Sequence, residues 1–133
     1  MQHLYIQDKG GIHTVLIFML KMTPSPNNRG ELLNILHNVI APTLIQPGCL
    51  ACEIYESSGH DQTVLYLEQW NSPTDIHRHI QSALYSRVLA AIDLSATQPE
   101  IKFYEISKTC GMELIESLRT SGAYHQQFEK SSE

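Results

Sequence analysis

Positive charge is in short supply: nine Lys and Arg stand against fourteen Asp and Glu in 133 residues, a formal net charge of −5. No basic run is present to follow a phosphate backbone, so nucleic acid is not an expected partner. Long hydrophobic runs are missing as well. The longest, residues 15–20, falls far short of the ~20 apolar residues that span a bilayer. The residues before it lack the basic start and small-residue cleavage site of a secretory signal. No membrane association is expected, and the expected compartment is cytoplasmic. Cysteines number only three, an odd count that points to free thiols in a reducing environment. There is no glycine-rich phosphate loop and no coherent set of metal ligands. No flavin, haem or metal cofactor is therefore expected.

What is present is enough for one core, because 42% of the residues are hydrophobic and the length suits a single compact domain. Residues 14–22 (TVLIFMLKM) are β-branched and apolar over a strand's length. Pro24-Ser25-Pro26-Asn27-Asn28 breaks that strand. From Arg29, Leu32, Leu33, Leu36, Val39 and Ile40 recur at helical spacing up to Pro42, with room for one further turn. Pro47-Gly48 resets the chain. Residues 49–56 (CLACEIYE) and 63–70 (TVLYLEQW) then read as a hairpin of two strands. Ser72-Pro73 with Asp75 starts a second helix along Ile76, Ile80, Ala83 and Leu84, with a break expected near Ser82. Residues 100–106 (EIKFYEI) alternate Ile101, Phe103 and Glu105 against Lys102, Tyr104 and Ile106, a fourth strand.

The order strand, helix, strand, strand, helix, strand is that of a ferredoxin-like α+β domain with an antiparallel sheet. Such a sheet carries helices on one face only. The first strand has apolar residues at both parities, Leu16, Phe18 and Leu20 against Ile17 and Met19. Burying the second set yields roughly 25 cal/mol per Å², and a second copy of the sheet is the simplest cover. A homodimer is the expected state. Residues 1–13 form an N-terminal extension ahead of the domain at 14–106. Residues 107–133 hold a short helix over 111–119 and an end at 130–133 expected to fray.

Within this frame the most informative stretch is Leu67-Glu68-Gln69-Trp70-Asn71-Ser72-Pro73, with His79 following on the next helix. It sets the only Trp at a strand end beside a helix that carries histidines. Such an arrangement suits a wall for a small aromatic ligand. His79 can take up or shuttle a proton near neutral pH, though packing also explains a helix-edge histidine. His77 lies two positions away and faces elsewhere, so the two do not form a metal pair. Cys49 and Cys52, three apart in a strand, are expected on opposite faces as small buried hydrophobes. Tyr55, Tyr66 and Tyr104 offer strand hydroxyls, and Arg87 falls near the apolar face of the second helix by periodicity.

Several of these residues in their order carry a resemblance. An opening strand and helix, Pro47-Gly48-Cys49 leading the second strand, Glu68-Gln69-Trp70 ending the third, and Ser72, His79 and Ser82 on the following helix resemble the antibiotic biosynthesis monooxygenase-like family of dimeric α/β barrels. The match covers about residues 14–106. The resemblance implies a homodimer and, in one branch, oxidation of anthrones or quinols by molecular oxygen without metal or flavin. In the haem-degrading branch, a first-strand Asn and a second-helix His correspond here to Phe18 and Val88, so the iron ligand is lacking. In the anthrone-oxidising branch, an Asn that holds substrate oxygen corresponds to Tyr66.

The expected function is thus a cofactor-independent monooxygenase acting on a small electron-rich aromatic, quinol- or anthrone-like. His79 and Trp70 are the candidate catalytic residues, and Tyr66, Phe18, Tyr55 and Arg87 are the candidate substrate contacts. The alternative is a non-catalytic dimeric module that binds a small molecule. A purely structural dimer, its pocket filled by side chains, is the remaining reading.

Overall fold

The structure, a computed structural model, describes residues 14–120. The extension at 1–13 and the end at 130–133 lie outside the described residues. In chain order the elements are β1 (Val15–Met22), α1 (Pro26–Leu44), β2 (Cys49–Glu56), β3 (Val64–Trp70), α2 (Pro73–Ile80), α3 (Tyr85–Ile92), β4 (Glu100–Ile106) and α4 (Met112–Thr120). All neighbouring strands are antiparallel, in the order β2-β3-β1-β4. This is the expected ferredoxin-like α+β arrangement.

Local chemistry explains where the elements begin and end. α1 starts three residues before the periodic pattern because Pro26 sits in its first turn, where a fixed φ helps and the missing N–H costs nothing. α2 starts at Ser72, whose side chain accepts a hydrogen bond from the Asp75 N–H at 3.2 Å while its hydroxyl donates to Asp75 Oδ2 at 2.8 Å. The expected break falls at Ser82, whose hydroxyl donates back to the His79 carbonyl at 2.6 Å. It divides the second helix into α2 and α3.

Period-two alternation sorts the sheet into two faces. Leu16, Phe18, Leu20 and Met22 of β1 join Val64, Tyr66 and Trp70 of β3 beneath the helices, against Leu32, Leu36 and Val39 of α1, Ile76 of α2, and Tyr85, Val88 and Ala91 of α3. Register places Ile101 beside Leu20 and Phe103 beside Phe18 on that same face. Yet β4 is an edge strand, beyond the cover of the helices, and Ile101 and Phe103 remain 46% and 51% exposed. The opposite face carries Ile17, Met19, Leu65 and Leu67, all partly buried.

One expectation is corrected. Cys49 and Cys52 do not point to opposite faces: Cys49 aligns with Trp70 and Ala51 with the adjacent Gln69, so one extra residue is inserted in β2. A bulge of this kind shifts the alternation by one. Both cysteines therefore lie on the helix-covered side, where Cys49 packs against the core and Cys52 is buried in it.

Candidate functional site

β3 builds the site by alternation alone: Tyr66, Glu68 and Trp70 are two apart and share the covered face. Glu68 is a carboxylate in an otherwise apolar row, only 1% exposed. An unpaired buried charge is very costly, and here three donors surround it. The Tyr66 hydroxyl donates to Oε2 at 2.6 Å and the Trp70 indole N–H to Oε1 at 3.0 Å. His79 Nε2 lies 3.0 Å from Oε2. Behind Tyr66, the Cys52 thiol donates to its hydroxyl at 3.2 Å. The polar hydrogens thus run in one direction, from Cys52 through Tyr66 to Glu68.

The network assigns the tautomer of His79. Trp70 can only donate, and Tyr66 already accepts from Cys52, so Glu68 acts as the acceptor for all three partners. His79 then presents Nε2–H to the carboxylate and leaves Nδ1 with a bare lone pair. Nδ1 is buried and has no hydrogen-bond partner. An unfilled acceptor is tolerated better than a buried N–H without a partner, which supports the same assignment. An imidazole held in this way can accept a proton at Nδ1, with Glu68 orienting the ring and stabilising the resulting cation. Burial, and then the charge of Glu68, push the Tyr66 phenol far above its usual pKa, so it stays a neutral donor. The same two causes raise Tyr85.

Aromatic rings enclose the imidazole. Trp70 packs against His79 with ring centres 4.7 Å apart and planes at 33°. Tyr85 meets it edge-on at 5.4 Å. Tyr85 also touches Phe18 at 5.8 Å, and Phe18 stacks on Phe103 at 4.9 Å.

Of the residues singled out in the sequence, Trp70, His79 and Tyr66 converge on one carboxylate, and Phe18 joins them through ring contacts with Tyr66 and Tyr85. Trp70 and His79 meet in direct contact rather than across an open cavity, because Glu68 draws their N–H groups together. The Tyr66 hydroxyl is committed to Glu68. Tyr55 lies apart: it is half-exposed on the opposite sheet face, donates to Glu53 at 2.8 Å, and lines a surface cleft of about 290 Å³ with Lys21, Asp61 and Leu65. Arg87 is exposed on the outer side of α3, away from the cluster. Val88, at the position of the missing iron ligand, is fully buried and offers no donor atom. Among the described residues, no three of His, Cys, Asp and Glu converge on a metal site, and no helix is long and apolar enough to cross a membrane.

Two residues escaped the sequence reading. Glu68 was detectable as a charged residue at the core parity of a strand. Tyr85 carried no such signal, since it reads simply as one more apolar position on a helix.

The antiparallel sheet β2-β3-β1-β4 with its helices on one face defines the fold class as ferredoxin-like α+β. The profile of the antibiotic biosynthesis monooxygenase family matches residues 15–91, more than half the chain, and the chain belongs to that family. The uncharacterized protein sll1783 of Synechocystis is 26% identical over 104 residues, covering 77% of this chain and 71% of that protein. Among solved structures, Rv0793 from Mycobacterium tuberculosis matches with a TM-score of 0.62 at 19% identity, over 73% of this chain and 97% of that one. PA3566 from Pseudomonas aeruginosa gives 0.62 at 19% identity, over 76% and 100%. At such identities these two likenesses show the fold.

Proposed function

We propose that the protein is a cofactor-independent monooxygenase that oxidises a small hydroxyaromatic, quinol- or anthrone-like, with molecular oxygen. The observation that carries this reading is the buried His79–Glu68 pair at 3.0 Å, whose Nδ1 has no partner. Nδ1 takes the hydroxyl proton of the substrate. The resulting carbanion-like enolate passes one electron to oxygen, and the substrate radical and superoxide combine as a peroxide. The peroxide regains the proton from His79 and loses water to leave a carbonyl. One oxygen atom thus enters the product and the other leaves as water. Trp70 and Tyr66 hold Glu68 in place, while Phe18 contributes apolar surface.

The acting unit in this proposal is a homodimer. Ile17, Met19, Leu65 and Leu67 on the helix-free face support it, as a second copy laid on that face would cover them. Light scattering at micromolar concentration should give about twice 15.1 kDa, and a persistent monomer removes this part of the proposal.

The chemical test is oxygen uptake with a panel of quinols and anthrones. His79→Ala should lower turnover per folded protein by roughly 10²- to 10⁴-fold, the usual worth of a positioned base, with ligand affinity changed much less. Loss of stability with unchanged turnover would make His79 a packing residue. Saturable quenching of Trp70 and a ligand-induced thermal shift without oxygen uptake would select the alternative, a non-catalytic dimeric module for a small aromatic ligand. The closed packing of Trp70 and Tyr66, both without exposed surface, favours instead a purely structural dimer whose pocket is filled by side chains, for which neither signal should be seen.

A further inference from the structure

The imidazole of His79 is 1% exposed, so any ligand that reaches it must displace a neighbour. Its ring neighbours are unequal. Trp70 is tied by its N–H to Glu68, and Glu68 itself holds three partners. The Tyr85 hydroxyl has no hydrogen-bond partner among the described residues, so moving its ring breaks no polar contact. Tyr85 also stands at the first position of α3, where Leu84 supplies no side-chain cap and the short connection from α2 ends. Of the rings around His79, it is the one held least.

On its far side, the buried ring of Phe18 links it to exposed apolar side chains. Tyr85 of α3 and Phe103 of β4 both contact Phe18 of β1, which makes Phe18 the floor between helix and edge strand. Phe103 and Ile101 flank this floor on β4 and are exposed, and Leu89, one turn beyond Tyr85 on α3, is exposed as well, while Phe18 itself is fully buried. Rings therefore run without a gap from the surface to the base: Phe103, Phe18, Tyr85, His79. A flat aromatic could stack along this line, and a hydroxyl at its inner end would be the group to meet the imidazole.

We propose that Tyr85 is the specificity-determining plug of this site: a flat hydroxyaromatic binds on the Phe103–Phe18 strip between α3 and β4 and reaches His79 by displacing the Tyr85 ring. The proposal rests on the reading of His79 as the base, but its test reads access and binding without oxygen chemistry.

Diethyl pyrocarbonate, which acylates accessible imidazole nitrogens, is the access probe, with peptide mass spectrometry resolving each histidine. In the wild-type protein His79 should react far more slowly than exposed His37, His60 and His77. Tyr85→Ala should speed the modification of His79 by roughly tenfold or more while leaving those three unchanged. Tyr85→Phe should behave as wild type, because the ring and not the hydroxyl closes the path. Tyr85→Leu, which keeps an apolar side chain over Phe18, provides the same test should the alanine protein not fold. 1-Naphthol should quench Trp70 more tightly in the opened variants than in wild type and slow the modification of His79, whereas naphthalene should not protect it. Phe103→Ala should weaken 1-naphthol binding severalfold in both backgrounds. Unchanged His79 reactivity in the folded opened variants, or 1-naphthol binding indifferent to Phe103, overturns the plug. Opened access and hydroxyl-dependent protection without oxygen uptake would leave the plug standing and remove only the monooxygenase reading.

Discussion

On the helix-covered face of β3, Tyr66, Glu68 and Trp70 are buried and bonded to one another, whereas Leu65 and Leu67, alternating with them on the same strand, are only partly covered. Register carries the contrast across the sheet. Tyr66 pairs with Leu20 and Glu68 with Phe18 on the covered side, while Leu67 pairs with Met19 on the other. A single strand thus supplies a finished polar cluster to the interior of the chain and a partly covered apolar surface to the outside. The covered face can hold a carboxylate because α2 delivers His79 as a third donor. Among the described residues no helix completes the open face, and its apolar residues are the surface the proposed dimer would cover.

The largest effect should come from breaking the covered face at its centre. Glu68→Ala leaves Tyr66, Trp70 and His79 without their acceptor, and should cost about 3–5 kcal/mol in urea unfolding or prevent folding. A cost below about 1 kcal/mol would mean that the three donors find other partners.

The corresponding change on the open face should act on assembly instead. Leu67→Asp brings a carboxylate beside Glu53, its cross-strand neighbour, and should weaken the proposed dimer by roughly a hundredfold while the protomer stays folded. Sedimentation across a concentration series measures this. If the dimer survives unchanged, its interface lies elsewhere.

A smaller loss is expected where β2 meets α2. Gly48 has φ +84°, a conformation that disfavours side chains, and an added Cβ would collide with the Asp75 carboxylate, which accepts from the Ser72 hydroxyl at the start of α2. Gly48→Ala should therefore cost about 2 kcal/mol, read from the urea midpoint. Gly30, with open space around it, is the control, and Gly30→Ala should be neutral or slightly stabilising.

No effect at neutral pH is expected from the raised thiols and phenols; theirs is a pH dependence confined to the covered face and to alkaline conditions. Burial is the main cause pushing Cys49 up to about 11 and Cys52 up to about 12, from an ordinary 9.0. Below pH 9 both states keep these protons. Above it the unfolded chain sheds them first, so this contribution to stability declines as pH rises through 11 and 12. Tyr66 and Tyr85, also raised, act in the same direction above their ordinary 10. The urea midpoint should fall between pH 9 and 11. At pH 7.5, alkylation should reach exposed Cys110 well before Cys49 and Cys52.

Sequence pattern alone determined the elements and their order, because the signals are local: the helical spacing from Arg29, Pro73 at a helix start, the Ser82 break, and the alternation of β4. It also determined that Trp70 and His79 belong near one another, since a strand end and the helix that follows it leave little freedom. Only the tertiary structure decided what they do there. The bulge in β2 turned Cys49 toward the core, a one-residue shift that composition does not announce. The edge position of β4 left Ile101 and Phe103 exposed although their alternation is that of a covered strand. Glu68 became the centre of the site because donors from β3 and α2 converge on it at hydrogen-bond distance. Tyr85 became a neighbour of His79 only when the break at Ser82 folded α3 back over Phe18. Propensity and periodicity are properties of a few adjacent residues, whereas a buried charge is stabilised by partners brought in from separate elements.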